Sequence, residues 1–140
     1  MNIDKLNEIK TSISDFNQIN LKSVKESFLS LIKSLTNQIE SYVGDYPTFI
    51  EPVYLEENVK LGDDVLLGPN VYVGKNCEIG NYVEVSNSII LDNVKVNENI
   101  KLENCIVATD CEMNFTNGTF NNLLIKGVSD SQNGLQKLNF

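Results

Sequence analysis

Apolar residues recur every six positions through the middle of the chain. From residue 49 to residue 118 the sequence divides into steps, and twelve consecutive steps open with an apolar side chain. The fifth position of most six-residue steps is Val, Cys or Ile, and two steps, VSNSI and LENCI, are one residue shorter. The opening residues are Phe49, Leu55, Leu61, Leu67, Val73, Ile79, Val85, Ile90, Val96, Leu102, Val107 and Met113.

This spacing fits neither an amphipathic helix nor an ordinary antiparallel strand. A helix keeps one face apolar with residues three and four apart, whereas a half-buried strand alternates every two residues. A parallel β-helix fits, because each step can form one short strand and a corner, with its first and fifth residues turned inward. Gly and Asn near the corner tolerate the backbone angles that a corner requires. Gly fills the second position of four steps, at Gly62, Gly68, Gly74 and Gly80.

With three steps to a coil, the opening residues predict three apolar columns inside the β-helix. The first column is Phe49, Leu67, Val85 and Leu102; the second is Leu55, Val73, Ile90 and Val107; the third is Leu61, Ile79, Val96 and Met113. The sequence therefore predicts a mainly β protein with about four coils of three short strands each. At a strand spacing of roughly 4.8 Å, such a prism is about 19 Å tall.

The flanks of the repeat predict a helical segment before it and a short tail after it. Apolar residues recur at helical spacing from Ile3 to Tyr42, and Gly44 follows as a stop signal. We expect one long helix or two, broken near residues 17–20. The apolar stripe either packs on the β-helix or joins subunits as a helical bundle, and the spacing does not decide between these.

We divide the chain accordingly into three regions. Residues 1–46 are predicted to form an amphipathic helical arm or cap, residues 47–118 the β-helix, and residues 119–140 a final strand and a loosely ordered tail. The alternative for the tail is that Leu135, Leu138 and Phe140 dock onto the rest of the protein.

Composition excludes several classes of function. The chain has no His, and all 11 of its basic residues are Lys, so there is neither an imidazole base nor a guanidinium clamp for phosphate. The formal net charge is -8, which opposes binding to nucleic acid or to an anionic membrane surface. The longest apolar runs are only a few residues and the N terminus resembles no leader, so we expect a cytoplasmic protein.

Three cysteines occur, at Cys77, Cys105 and Cys111. Their number is odd and no two are spaced as in CxxC, so a disulfide framework is not predicted. Their places in the repeat predict small buried side chains, in a reducing compartment.

The repeat resembles the hexapeptide-repeat, left-handed parallel β-helix family, whose step is an aliphatic residue, Gly, two variable residues and a small or aliphatic residue. The stretch from VYVGKNCEIG to VATDCEM, with its shortened NSII and NCIV steps, is similar to one particular group. This group comprises the C-terminal β-helix of sugar-phosphate nucleotidyltransferases, such as mannose-1-phosphate guanylyltransferase and glucose-1-phosphate adenylyl- or thymidylyltransferases, and of the related translation initiation factor 2B subunits. The resemblance implies a left-handed coil and a homo-oligomer, either a trimer or a dimer.

The resemblance also limits the chemistry to be expected. Acyltransferases of the wider family use a coil His as general base, and its γ-class carbonic anhydrases bind a metal through His, which this chain lacks. The nucleotidyltransferases work through an N-terminal domain with a Gly-rich loop, whereas residues 1–48 contain a single glycine, Gly44. We therefore expect a non-catalytic module for oligomerisation or scaffolding, with a separate nucleotidyltransferase subunit as a second partner. We assign no catalytic, cofactor-binding or metal-binding residue.

The alternative is an atypical acyl or sugar-nucleotide transferase without the usual His. Its polar group would be a carboxylate or a tyrosine, and lysines would supply point charges for a phosphate. The candidates are Glu84, Glu103, Tyr72, Tyr82, Lys60, Lys75, Lys95 and Lys101.

Overall fold

A computed structural model describes residues 1–140 and shows a three-sided parallel β-helix with two N-terminal helices packed beside it. The helices are α1 (Ile3–Ser12) and α2 (Leu21–Lys33), and short 3-10 helices lie at Phe16–Gln18 and Gln132–Gly134. The strands are β1 (Tyr42–Val43), β2 (Thr48–Phe49), β3 (Val53–Leu55), β4 (Val59–Leu61), β5 (Leu66–Leu67), β6 (Val71–Val73), β7 (Glu78–Ile79), β8 (Glu84–Ser86), β9 (Ser88–Ile90), β10 (Lys95–Val96), β11 (Ile100–Glu103), β12 (Ile106–Val107), β13 (Glu112–Met113), β14 (Gly118–Asn121), β15 (Leu123–Lys126), β16 (Val128–Ser129) and β17 (Gln136–Asn139).

The strands form three sheets, one on each side of the prism. Sheet 1 has the order β1-β4-β7-β10-β13-β16, sheet 2 has β14-β11-β8-β5-β2, and sheet 3 has β17-β15-β12-β9-β6-β3. Every named strand pair is parallel except β15 with β17. Each strand therefore pairs with the strand one coil away, which is the arrangement that the six-residue repeat predicts.

The three predicted columns are confirmed by the strand register. Leu67, for example, is paired with Phe49 above it and with Val85 below it. The structure has about five turns, whereas the sequence predicted about four coils. The difference arises because the columns continue through Phe120 and Ile125, beyond a step that is one residue longer than six. The interior columns form one apolar core in which most side chains are fully buried.

The corners of the prism use backbone angles that Asn tolerates better than most residues. A φ near +60° places a residue in the left-handed region, where a short polar side chain that can hydrogen-bond locally costs least. Nine of the 13 non-glycine residues with positive φ are Asn. Along one corner Asn58 donates a hydrogen bond to Asn76 at 2.8 Å, Asn76 to Asn93 at 3.2 Å and Asn93 to Asp110 at 3.1 Å.

Glycine at the second position of a step allows neighbouring coils to stack closely. A Cβ at Gly74 would lie only 2.7 Å from the backbone nitrogen of Asp92 in the next coil. The Asp92 carboxylate also accepts a hydrogen bond from the backbone N–H of Lys75 at 2.9 Å, which fills the space that a side chain would need.

The N-terminal helices lie along the outer face of sheet 3. Each begins at an Asn cap, because Asn2 accepts a hydrogen bond from the N–H of Lys5 and Asn20 from that of Ser23. The predicted break near residues 17–20 is confirmed, with a 3-10 helix at Phe16–Gln18 between α1 and α2. Of the two placements left open by the sequence, the structure has the apolar stripe packed on the side of the prism.

The helical region ends earlier than the sequence predicts. Helix α2 stops at Lys33, and the chain is then extended and pairs with the first full coil. Gln38 donates its N–H to Val53 at 2.9 Å and accepts that of Leu55 at 2.8 Å, and Tyr42 in β1 is paired with Val59. These residues satisfy backbone groups that would otherwise be exposed at the edge of the sheets, which is why helical spacing past Lys33 does not produce a helix.

The C-terminal segment is ordered by pairing and does not form a loose tail. Strand β17 pairs antiparallel with β15, and Leu135 is 5% exposed and belongs to the interior core. Leu138 and Phe140 pack with the helices, where the Phe140 ring lies 5.4 Å from that of Phe28 in an edge-to-face contact. The docking alternative is therefore correct for all three of these residues, and the segment closes the end of the prism.

Candidate functional surfaces of the prism

The interior of the β-helix contains no accessible chemical group. The three cysteine thiols are free and buried, as predicted, and burial raises the pKa of Cys77 and of Cys111 to about 12 and that of Cys105 in the same direction. Their thiolate forms are therefore scarce at neutral pH. No group of three or more His, Cys, Asp or Glu side chains is placed to hold a metal ion. Any functional group must lie on the outer faces.

The outer face of sheet 3 is closed by the helices. Tyr72, a candidate for the alternative transferase, lies here with no exposed surface and stacks on Tyr54 at a ring distance of 5.8 Å. Its hydroxyl has no hydrogen-bond partner in the chain, and burial raises the pKa of Tyr72, with the nearby Glu56 and Asp92 carboxylates acting in the same direction. A substrate on the surface cannot reach this hydroxyl.

The outer face of sheet 2 brings together three of the predicted candidates. Glu84, Lys101 and Glu103 line a shallow concavity of about 270 Å³ together with Ser86. The Lys101 ammonium lies 3.3 Å from the Glu84 carboxylate, and both side chains are about half exposed. Glu84 and Lys101 are thus paired with each other, in a site open to water. Ser86 was not among the predicted candidates, because its place in the shortened step VSNSI hides its outward orientation.

The outer face of sheet 1 carries a single column of side chains that we call the charge ladder. Its register follows directly from the strand pairs, in which each member is the partner of the next. From the first coil to the last, the charge ladder is Val43, Lys60, Glu78, Lys95, Glu112 and Val128. Charge alternates along the four central members, and a valine stands at each end.

The charged side chains of the ladder form no ion pair within the chain. The four ion pairs of the protein join Lys5 to Glu8, Lys10 to Asp92, Lys75 to Glu57 and Lys101 to Glu84. None of them includes a ladder residue, so the charges of this face are available to a partner.

Large apolar side chains are exposed at the two ends of sheet 1 and at its neighbouring corner. Val43 is 69% exposed and Val128 is 61% exposed. Tyr46, at 90%, and Tyr82, at 56%, stand at positive φ on the corner between sheets 1 and 2. Tyr82, the second tyrosine candidate, does not line the concavity on sheet 2.

The sequence-predicted candidates are thus divided among different surfaces. Lys60 and Lys95 belong to the charge ladder, Lys75 pairs with Glu57 at 3.8 Å, and Tyr72 is enclosed. Glu78 and Glu112 were not among the predicted candidates, although the sequence carries a signal for them. When every third step is taken, starting from LEENVK, the last residues are Lys, Glu, Lys and Glu, and all four lie on sheet 1.

Comparison with known proteins agrees with the fold and with the resemblance. Residues 49–124 match the family model described as the GMPPB C-terminal domain, which covers more than half of the chain. The chain therefore belongs to this family, and it contains a β-helix module of the nucleotidyltransferase type. No curated protein and no solved structure gives a match. Neither helix has the length and apolar character needed to cross a lipid bilayer.

Proposed function

We propose that this chain is a non-catalytic β-helix module that joins protein subunits, as an oligomerisation or scaffolding element. Membership of the GMPPB C-terminal domain family supports a module of this type. The filled interior also supports it, because the chemically reactive side chains inside the prism are buried thiols of high pKa. The surface that contacts other subunits is therefore the outside of the prism.

One observation carries the proposal. The chain covers sheet 3 with its own helices but leaves the faces of sheets 1 and 2 open, and large apolar side chains stand exposed around sheet 1. Aromatic side chains, such as the exposed Tyr46 and Tyr82, are enriched in surfaces that another protein covers. The apolar stripe of the helical arm packs on sheet 3, which supports a subunit contact on the prism over one through a bundle of helices.

The partners we propose are further copies of this chain, in a dimer or trimer, and a separate nucleotidyltransferase subunit. The second partner follows from the family, in which the β-helix is a C-terminal domain. It is tested by co-purification with a nucleotidyltransferase from the same cells, identified by mass spectrometry.

The proposal is tested by measuring the native mass and the enzymatic activity of the purified chain. We expect light scattering to give a multiple of 15.7 kDa that depends on concentration, from the low micromolar to the submillimolar range. A constant mass of one chain over that range would contradict self-association.

Activity assays address the alternative function. We expect no turnover with sugar phosphates and nucleoside triphosphates, nor with acetyl coenzyme A and amino sugars. Turnover that is lost in Glu84→Gln or Glu103→Gln, but kept in the exposed control Glu57→Gln, would establish a transferase working from the concavity on sheet 2.

A further inference from the structure

The order of side chains along the charge ladder on sheet 1 has an internal symmetry. Its members, in order, are apolar, positive, negative, positive, negative and apolar. When this order is reversed and laid against itself, each positive residue meets a negative one and the two valines meet each other. The column is therefore complementary to an inverted copy of itself.

A two-fold axis produces this arrangement when it lies in the plane of the face and perpendicular to the axis of the prism. Such an axis keeps a column opposite itself and reverses its order, so it generates an antiparallel pair of prisms. It would pass between Glu78 and Lys95, placing Glu78 opposite Lys95 of the partner subunit and Lys60 opposite Glu112 of the partner subunit. A two-fold axis parallel to the prism would instead set each charge against its own copy.

The surroundings of the ladder allow a second sheet to approach closely. The next outward position along sheet 1 is occupied by small side chains at Gly62, Gly80, Asn97 and Asn114. The four charges have no ion-pair partner in the chain, while the comparable charges on sheet 2, Glu84 and Lys101, are paired at 3.3 Å. The ladder charges of sheet 1 therefore lack the ion-pair partner that Glu84 and Lys101 have on sheet 2.

We propose that sheet 1 is the surface on which two copies of this chain associate, face to face and antiparallel, through the charge ladder. This inference rests on the proposed function and specifies the face, the partner and the orientation. Six rungs span about 24 Å and the strands about 10 Å, so the face measures about 240 Å², well below the roughly 800 Å² per partner of a standard interface. The dimer is accordingly weak and weakens with salt, because exposed charges are screened within about 10 Å at 0.1 M ionic strength.

Charge reversal tests the face and the pairing together. In the antiparallel dimer, position 78 of each copy faces position 95 of the other. Glu78→Lys therefore creates two lysine–lysine contacts, and Lys95→Glu creates two glutamate–glutamate contacts. We expect each single variant to raise the dissociation constant of the dimer by about tenfold or more, measured by sedimentation velocity at low salt. The double variant Glu78→Lys/Lys95→Glu restores opposite charges on every rung and should return the constant to near that of the wild type. An equimolar mixture of the two single variants should form heterodimers.

Matched controls lie on the other open face. Glu84→Lys and Lys101→Glu make the same changes of charge at the same heights on sheet 2. These variants should leave the dissociation constant within about threefold of the wild-type value. Equal effects of the sheet 1 and sheet 2 variants would overturn the assignment of the face.

Cross-linking tests the orientation. The antiparallel pair sets Val43 opposite Val128 of the partner subunit, and the native cysteines are buried and do not compete. A mixture of Val43→Cys and Val128→Cys should be joined by a short bismaleimide, whereas Val43→Cys alone should not. Rapid cross-linking of Val43→Cys alone would show a parallel pair and overturn the proposal.

The outcomes separate this inference from the proposed function. If the wild type associates but no ladder variant changes the dissociation constant, the ladder is not the interface and the oligomerisation role stands. If the wild type remains a monomer at every concentration and salt, both the inference and self-association are wrong.

Discussion

At the scale of single residues, the fold depends on which way each side chain points. The first and fifth residues of a step point into the prism, and the others point outward or form the corner. The corner residue must accept a positive φ, and Asn does this at low cost while also bonding to the Asn in the next coil. Repetition of this pair of requirements explains why the sequence is rich in Asn at fixed places.

The inward orientation of the columns predicts that substitution of two adjacent leucines has very different effects on the free energy of unfolding. Leu67 is fully buried in the first column, whereas its neighbour Leu66 lies on the outer face of sheet 2 and is only partly covered. Leu67→Lys buries a charge without a partner and should lower the free energy of unfolding by several kcal/mol.

The control is Leu66→Lys, which should change the free energy of unfolding by less than about 1 kcal/mol. Denaturation followed by circular dichroism measures both variants. Comparable losses for the two variants would contradict the register of β5.

At the scale of elements, the helices and sheet 3 form a second apolar core. One side of α1 and α2 packs on an outward column of sheet 3 that includes Tyr72, Ile89 and Ile106. Lys10 on α1 adds an ion pair of 3.4 Å to Asp92, which is partly exposed and therefore contributes little on its own. The helices remain in place mainly through apolar contact.

Two leucines of α2 test this contact. Leu31 is fully buried against sheet 3, and Leu29 is 46% exposed on the same helix. Leu31→Ala should lower the free energy of unfolding by about 2–4 kcal/mol, because it leaves a cavity between the helix and the sheet.

Leu29→Ala is the matched control and should cost less than about 0.5 kcal/mol. Thermal and chemical denaturation report both changes. Equal stability of the two variants would mean that α2 does not rest on sheet 3.

At the scale of the whole molecule, a β-helix must be closed at both ends of its apolar columns. Residues 37–43 pair with the first coil, and the segment from β16 to β17 turns back over the last one. Terminal units with a polar outer side are what stacked-coil proteins require for solubility. Here these closing segments come from the two regions that lack the six-residue repeat.

Leu135 tests the closure of the last coil. It is 5% exposed and belongs to the interior core, although it lies 17 residues beyond the end of the repeat at residue 118. Leu135→Asp should lower the free energy of unfolding by several kcal/mol and should expose the final coil, detected as binding of a hydrophobic dye. The neighbouring, exposed Gln136→Asp should have little effect, and dye binding by both variants would argue against a specific cap.

Part of the candidate surface could have been predicted from the sequence. The outward residues of every third step are apolar at Tyr54, Tyr72, Ile89 and Ile106, which marks one face for burial. The same grouping reveals the alternating charges at Lys60, Glu78, Lys95 and Glu112 on another face. That these charges find no partner within the chain could not be predicted, because it depends on the distances between side chains.

The sequence by itself determined the β-helix, the membership of its three columns, the buried cysteines and the helical character of the N terminus. Each of these is a local property, because the position of a residue within its repeating unit decides whether its side chain points inward or outward. Only the tertiary structure decided where α2 ends, that a further coil forms after Met113, that the C-terminal segment closes the prism, and that the two helices are what covers the apolar outer face of sheet 3. These features depend on contacts between residues far apart in the chain, where the energy of burying one surface against another outweighs the local pattern.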